Sequence, residues 1–455
     1  MTLAAATSPL TRSAHARELL ALGLPLVGSN LAQMSLHVTD TVMMGWYGVT
    51  DLAAVVLGAS SFFIVFILGA GFAQAVMPMV AAAVGSGDET QVRRATRMGL
   101  WLSIGFGILV LPVFWYSGPI LRALGQQPEV AAIAQGYMRI AGLGMIPALV
   151  VMVLKNYLAA LGRTQVVLWV TLAGVAVNAA VNWALIFGNW GAPEMGARGA
   201  AVATVAVQLV SLAALAAYAA WLPDLRRFRL FQRFWRPDWP ALGQVFRLGW
   251  PIGLTSLAEG GLFQASALMM GWIGTVELAA HGIALEVASL AFMVHVGLSS
   301  AATIRTGRFL GEGDLPALRQ GAVVAIALSA VVGLAMVALF LALPETIVRL
   351  FIDGTDPQAP QIVAFGVTLL AVAAAFQMAD AGQVMALGLL RGLQDTRVPM
   401  ILAAVSYWLI GIPASYVLAF PLGLGGVGLW LGLVVGLVLA SASLMTRFWL
   451  RVGQP

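Results

Sequence analysis

The sequence predicts an all-α membrane protein of about twelve transmembrane helices in two pseudo-symmetric six-helix bundles. Three observations carry this prediction. Only 9% of the 455 residues are charged and 60% are hydrophobic, with a mean hydropathy of +0.92. That leaves too few polar side chains to wet the outside of a soluble domain. Apolar stretches of about 20 residues, the length that crosses a bilayer, recur about twelve times. The first half of the chain is echoed in the second. This composition excludes a cytosolic enzyme, a disordered chain and a nucleic-acid binder. The absence of cysteine excludes disulfides, thiolate zinc sites and thiol redox chemistry.

The elements follow in order. Residues 1–17 are small and polar, with Arg12, His15 and Arg17. They lack the short apolar core and cleavage pattern of a secretory signal, so the first span is expected to remain in the membrane. Hydropathy places the first six spans near 18–43, 52–82, 97–118, 132–157, 165–188 and 198–221. The second six lie near 245–272, 278–304, 318–343, 360–390, 400–420 and 426–448. Bends or tilts are expected in 52–82 and 360–390, which hold glycine and proline. Residues 222–244 carry Arg226, Arg227, Arg229, Arg233 and Arg236 and read as a basic linker. It joins an N-terminal bundle (1–221) to a C-terminal one (245–455). A solvated loop whose charge only sets topology accounts equally well for this linker.

Basic residues set orientation. With the N-terminus inside, the inner face collects Arg12, Arg17, Arg93, Arg94, Arg97, Lys155, Arg163, the linker arginines, Arg247, Arg305, Arg308, Arg319, Arg391, Arg397, Arg447 and Arg451. Only Arg122, Arg139, Arg198 and Arg349 remain for the outer half, so both termini are expected to be cytoplasmic. The expected outer loops carry Asp51, Glu194, Glu277, Asp353 and Asp356.

The internal repeat has a constant offset. Gly23-Leu24-Pro25 matches Gly249-Trp250-Pro251, Met43-Met44-Gly45-Trp46 matches Met269-Met270-Gly271-Trp272, and Leu52-Ala53-Ala54 matches Leu278-Ala279-Ala280. In each case the offset is 226, and 13 of 32 positions are identical over 23–54 and 249–280. A second echo, Leu158, Leu161, Thr164 and Val166 with Leu390, Leu393, Thr396 and Val398, has an offset of 232. A repeat unit of six helices preserves direction, so the halves are related by an axis along the membrane normal. That is a transporter architecture, with the solute site between the halves and alternating access by rocking.

Ionisable groups within spans are costly and usually functional. Asp40, Glu259, Glu286 and Asp380 are the carboxylates at depth, with His37 and His295 nearby. Asp380 lies mid-span; a carboxylate there is ionised only when a cation or a polar network compensates it, so it can exchange a proton, Na⁺ or a cationic solute. Two ligands that cannot share one negative site are thereby coupled. Glu259 stands beside Gly260 and Gly261, which admit close approach of a helix or a solute. The repeat partner of Glu259 is Gln33 and that of Asp40 is Ser266, so the acids are placed asymmetrically. Asn178 and Asn182, spaced i, i+4, share one helix face. With Thr204 and Asp40 they form a polar cluster in the first half. His37, three residues before Asp40, is either a proton relay or a packed neutral side chain. Lys155, Arg305 and Arg391 read as anchors near inner helix ends. No G-x-x-x-x-G-K-[ST] loop, HExxH or GxSxG motif is present, and the loops are too short for an ATPase domain. The chain is therefore no enzyme, and its energy comes from an ion gradient or from the solute's own.

These residues resemble the multidrug and toxic compound extrusion (MATE) family, in its NorM-like branch. The resemblance rests on Asp40-Thr41-Val42-Met43-Met44-Gly45, on Gly271-Trp272-Ile273-Gly274 with Leu278-Ala279-Ala280-His281, and on the stretch Phe376 to Thr396 with Gln377, Asp380, Gln383, Arg391 and Asp395. It implies a Na⁺- or H⁺-coupled antiporter exporting lipophilic, often cationic drugs. Its place is a bacterial inner membrane, as a monomer among lipid, with no cofactor beyond the coupling ion. Glu259 and Asp380 resemble the second-half coupling carboxylates, a possible Na⁺ site. Asp40, Asn178, Asn182 and Thr204 resemble the first-half polar cluster, and Glu286 is a further ion or substrate candidate. His295 stands where the family commonly has proline, and Glu286 where it has an amide or neutral residue. The alternative is a lipid-linked precursor flippase of the wider superfamily. That reading needs a cationic cavity, whereas the central charges here are mainly acidic.

Overall fold

The computed structural model describes residues 11–352 and 357–453; the expected outer-loop acids Asp353 and Asp356 lie outside the described residues. Helices account for nearly all of it. In the first half they are α1 (Arg12–Tyr47), α2 (Val49–Gly85), α3 (Glu89–Trp115), α4 (Ser117–Ala123), α5 (Pro128–Leu143), α6 (Met145–Ala160), α7 (Thr164–Phe187) and α8 (Ala197–Trp221), followed by the short α9 (Pro223–Arg226). The second half holds α10 (Trp239–Ile273), α11 (Thr275–Glu312), α12 (Leu315–Ala342), α13 (Pro344–Arg349), α14 (Ala359–Gly392), α15 (Arg397–Ala404), α16 (Ile412–Ala419) and α17 (Gly425–Gly453). A π-helical stretch, Val405–Gly411, makes α15 and α16 one continuous span.

Ten helical spans are long and apolar enough to cross a membrane, and the bent pair α5–α6 adds an eleventh. The twelfth is α10. At 35 residues it is about 52 Å long at about 1.5 Å per residue; Arg247, Glu259 and Gln264 dilute its apolar character. Eleven candidate spans and the less apolar α10 thus lie at the expected places among the described residues.

The duplication reappears as geometry. α1 and α10 end at Tyr47 and Ile273, α2 and α11 begin at Val49 and Thr275, and α3 and α12 begin at Glu89 and Leu315, each pair 226 apart. The turns between them are also duplicated. Gly87 and Gly313 both hold φ +72°, where a side chain would be strained. Asp88 and Asp314 then cap the next helix, accepting from the N–H of Gln91 and of Ala317 at 2.9 Å each, which satisfies an orphan donor of the first turn. Later the offset becomes 232, and Gly162 (φ +79°) is answered by Gln394 (φ +59°).

The halves differ where their sequences differ. In the segments 52–82 and 360–390, where bends or tilts are expected, α2, with Pro78 inside it, and α14 each run as one unbroken helix, and α14 carries its only proline, Pro360, in its first turn, where no N–H is missed. The fourth span is the bent one, by 44° at Gly144 between α5 and α6. Pro147 cannot donate to the carbonyl of Leu143 and crowds it. Its counterpart in α14 is Ala379, and that helix continues. A clasp at the repeat-related turn is duplicated with its charges exchanged. Arg163 bonds Asp224 at 2.7 Å, whereas Asp395 receives Arg447 at 3.0 Å and Arg451 at 3.2 Å.

The chain divides into two compact units. One is Gly28–Leu257; the other comprises the chain up to Val27 together with Ala258 onward. The divisions fall inside α1 and α10, whereas the six-helix halves expected from the sequence divide at 222–244. The start of α1 packs with the second unit, with Leu19 in its core beside Leu298, Ala301 and Ala302. The start of α10 belongs to the first unit, where Gly249 and Gly253 lie against Gly71 and Leu68 so closely that no Cβ fits. In the second unit α17 presents Gly428, Gly432 and Gly436 along one face. The space of a Gly432 Cβ is taken by the backbone of Ser415, and Gly436 lies against Gly411.

Candidate ion-coupling sites

Each unit buries one carboxylate cluster. In the Gly28–Leu257 unit, α1 carries Asp40 and α7 carries Asn178 and Asn182, one turn apart. Asn178 Nδ2 donates to Asp40 Oδ1 at 3.0 Å and Asn182 Nδ2 to the same oxygen at 2.6 Å. Asn182 Nδ2 also reaches Asn178 Oδ1 at 3.2 Å. Thr204 on α8 makes a long contact to Asp40 Oδ2 at 3.5 Å, and its hydroxyl is also placed to donate to the carbonyl of Ala200 at 3.1 Å. Both asparagines are buried, and Asn182 Oδ1 has no partner. The expected cluster of Asp40, Asn178, Asn182 and Thr204 therefore assembles as one site. Tyr137 on α5 is buried beside Asp40 and Thr204 and belongs to it. His37 does not bond to Asp40; it is exposed and lies edge-on to Phe63 at 6.4 Å.

In the other unit, Glu259 on α10 accepts from Gln383 Nε2 at 2.9 Å. Asp380 is 1% exposed, and neither of its carboxylate oxygens has a hydrogen-bond partner. Glu259 lies within electrostatic reach of Asp380, Arg391 and Tyr407. Gln377, Asp380 and Gln383 follow one another at i, i+3, i+6 on α14. Both amide atoms of Gln377, Oε1 of Gln383 and the hydroxyl of Tyr407 are likewise buried without partners. Acceptor oxygens outnumber the donors here, which are the amide N–H groups of Gln377 and Gln383 and the hydroxyl of Tyr407. A proton or a cation is the chemistry that satisfies the excess, since buried polar groups without partners are costly. Among the described residues no group of three or more His, Asp and Glu side chains forms a divalent-metal cage.

The glycines beside Glu259 have separate roles. The ring of Trp408, in the π-helical stretch, occupies the space of a Gly261 Cβ (2.7 Å), with its Nε1 donating to the Ala258 carbonyl at 3.1 Å. Gly260 faces open space. Ser266, which answers Asp40 in the repeat, joins a different network: Trp430 Nε1 donates to His281 Nδ1 at 3.0 Å, and His281 Nε2 meets Ser266 Oγ at 3.4 Å. Glu286 is half-buried on α11 and makes no hydrogen bond or ion pair among the described residues. His295 is buried, its Nδ1 on Ser329 Oγ at 3.1 Å. Sequence spacing did not point to Tyr137 or Tyr407. Both are apolar-looking members of buried helix faces, and only the approach of a second helix puts their hydroxyls beside carboxylates.

The MatE family model matches residues 25–184 and 251–417, two matches whose starts are separated by the 226-residue offset of the repeat. The chain is 47% identical over 438 residues to a "Probable multidrug resistance protein NorM" of Rhizobium meliloti, covering 96% of this chain and 93% of that protein. A protein of the same name from Agrobacterium fabrum is 46% identical over the same length, covering 96% and 94%. Among solved structures, a MATE in complex with MaL6 superposes with a TM-score of 0.88 at 20% identity, covering 96% of each chain. The eukaryotic MATE transporter AtDTX14 superposes at 0.83 and 19% identity, covering 97% of this chain and 99% of that one. These likenesses join the duplicated six-helix fold and the paired buried acids: the chain belongs to the MatE family of membrane transporters.

Proposed function

We propose that this chain is a cation-coupled antiporter that exports lipophilic, often cationic drugs from a bacterial cell. It works as a monomer in the inner membrane with both termini cytoplasmic. Na⁺ or H⁺ is the driving ion, and no other cofactor takes part. The names of its NorM relatives support the drug class, and the heavy bias of basic residues to one face supports the orientation. The observation that carries the coupling is Asp380. A fully buried carboxyl with no hydrogen-bond partner is held ionised only by a cation, so protonation, Na⁺ and a cationic drug are alternatives for one charge. Glu259 and the carboxamides of Gln377 and Gln383 supply the further oxygens that a monovalent cation needs. Because occupancy by the ion and by the drug exclude one another, loading the ion on the outside releases the drug there and the halves rock back.

The test is drug efflux in proteoliposomes with Na⁺ and proton gradients imposed separately. The wild type exports ethidium under one of the two gradients, and Asp380→Asn, equally abundant in the membrane, does not. Full efflux by Asp380→Asn overturns the assignment.

A further inference from the structure

The segment between α8 and α10 is no free loop. Leu225, Phe228 and Leu230 are buried in the first unit, with Phe228 edge-on to Tyr157 at 6.3 Å. Arg97 Nη1 donates to the carbonyls of Gln232 and Arg233 at 3.2 and 3.1 Å, and Trp101 Nε1 to that of Phe234 at 2.9 Å. Arg94 grips Asp238 through two bonds, holding that carboxyl below the usual carboxylate range by direct hydrogen bonding. One side of the segment is therefore fixed to the bundle.

The other side has a single chemistry. Arg226, Arg229, Arg233 and Arg236 are exposed, and their side chains make no bond among the described residues. No acidic residue lies between Leu225 and Pro237. Trp221, Trp235 and Trp239 are interleaved with them and are 72%, 76% and 67% exposed. Arg229 and Arg233 hold left-handed φ of +48° and +54°, an unfavourable backbone for long side chains. They do so in successive tight turns, where N–H groups of Arg229, Gln232 and Arg236 return to the carbonyls three residues before. Trp221 ends α8 and Trp239 begins α10, so the segment bridges two helix ends at a membrane surface. Tryptophan is favoured at that depth, and arginine meets headgroup phosphates there.

We propose that residues 221–239 form a docking surface for anionic lipid headgroups on the membrane face that carries the linker. The four arginines hold the phosphates, and Trp221, Trp235 and Trp239 seat in the interfacial layer. This assignment goes beyond drug export and is independent of the coupling ion.

The cysteine-free chain permits a direct test. An environment-sensitive dye on Gln232→Cys, an exposed side chain without a bonding role, reports on the linker of the folded, full-length protein. The protein is reconstituted in vesicles of phosphatidylcholine alone, or with about a quarter phosphatidylglycerol. The dye is expected to shift only with the anionic lipid, and the shift is expected to vanish at ~1 M salt, where the Debye length is about 3 Å. The variant R226Q/R229Q/R233Q/R236Q is expected to lose the shift, and to retain at least about fivefold less phosphatidylglycerol on purification, the factor one basic group gains near an anionic surface. Should that variant fail to insert, the two lipids and the salt series on the labelled wild type decide alone. Equal signals in both vesicles overturn the proposal, as does an identical shift produced by inorganic phosphate.

Discussion

Asp40 is met by two carboxamide N–H groups, whereas Asp380 is met by none, although each lies within a helix that crosses the membrane. Donors that converge on one oxygen, at 3.0 and 2.6 Å, hold a carboxylate in place without any ion. Removing the shorter of them leaves a half-buried charge poorly compensated. Asn182→Ala is therefore expected to lower stability by about 1.5–3 kcal/mol, the range for a hydrogen bond to a charged group, and a thermal melt in detergent reads it. An unchanged melt would mean that water replaces the amide. The i, i+4 pair Asn178 and Asn182 was legible in the sequence because one helix face carries it. Gln377 and Gln383 were visible as motif residues, but their part in the Asp380 pocket depends on which side of α14 faces α10 and the π-helical stretch. Glu286, singled out by its depth in a span, is half-buried and makes no hydrogen bond among the described residues.

At the scale of elements, hydropathy and the repeat located the eleven candidate spans and α10, because membrane helices are bounded by lipid thickness rather than by subtle propensities. The position of the bend was not legible. Counting glycine and proline pointed to the second and tenth spans, but Pro78 lies inside a helix that runs on unbroken and Pro360 lies in a first turn, whereas Pro147 follows the Gly144 break and removes the N–H that would bridge it. Glycine follows the same logic of place. Gly432 lies where a Cβ would strike the backbone of Ser415, whereas around Gly260 nothing stands within 4 Å. Gly432→Ala is therefore expected to cost about 1–3 kcal/mol by overpacking and to reduce the yield of folded protein. Gly260→Ala is expected to be neutral or to stabilise by up to about 1 kcal/mol. Parallel melts of the two variants check this; an equal cost would remove close packing as the reason for the glycines of α17.

On the scale of the whole molecule, duplication supplied two equivalent frames and divergence supplied unequal chemistry. The first frame holds an acid at position 40 where the second holds Ser266, and the second holds one at 259 where the first holds Gln33. Global stability reports the difference, because a cation bound only by the folded protein stabilises it by RT ln(1 + [L]/Kd), about 2.7 kcal/mol at 100 times Kd. On the proposed coupling, Asp380, without a hydrogen-bond partner, is the carboxyl expected to depend on such a cation, and Asp40, with its asparagines, is not. The melting temperature of the wild type is expected to rise with whichever of Na⁺ and H⁺ drives efflux in proteoliposomes. Asp380→Asn is expected to melt at a temperature indifferent to that ion, since its amide carries no charge to compensate. Asp40→Asn is expected to keep the response. If Asp40→Asn instead abolished it and Asp380→Asn kept it, the coupling charge would belong to the first unit, and the unpartnered oxygens of Asp380 would mark the drug-facing side of the exchange.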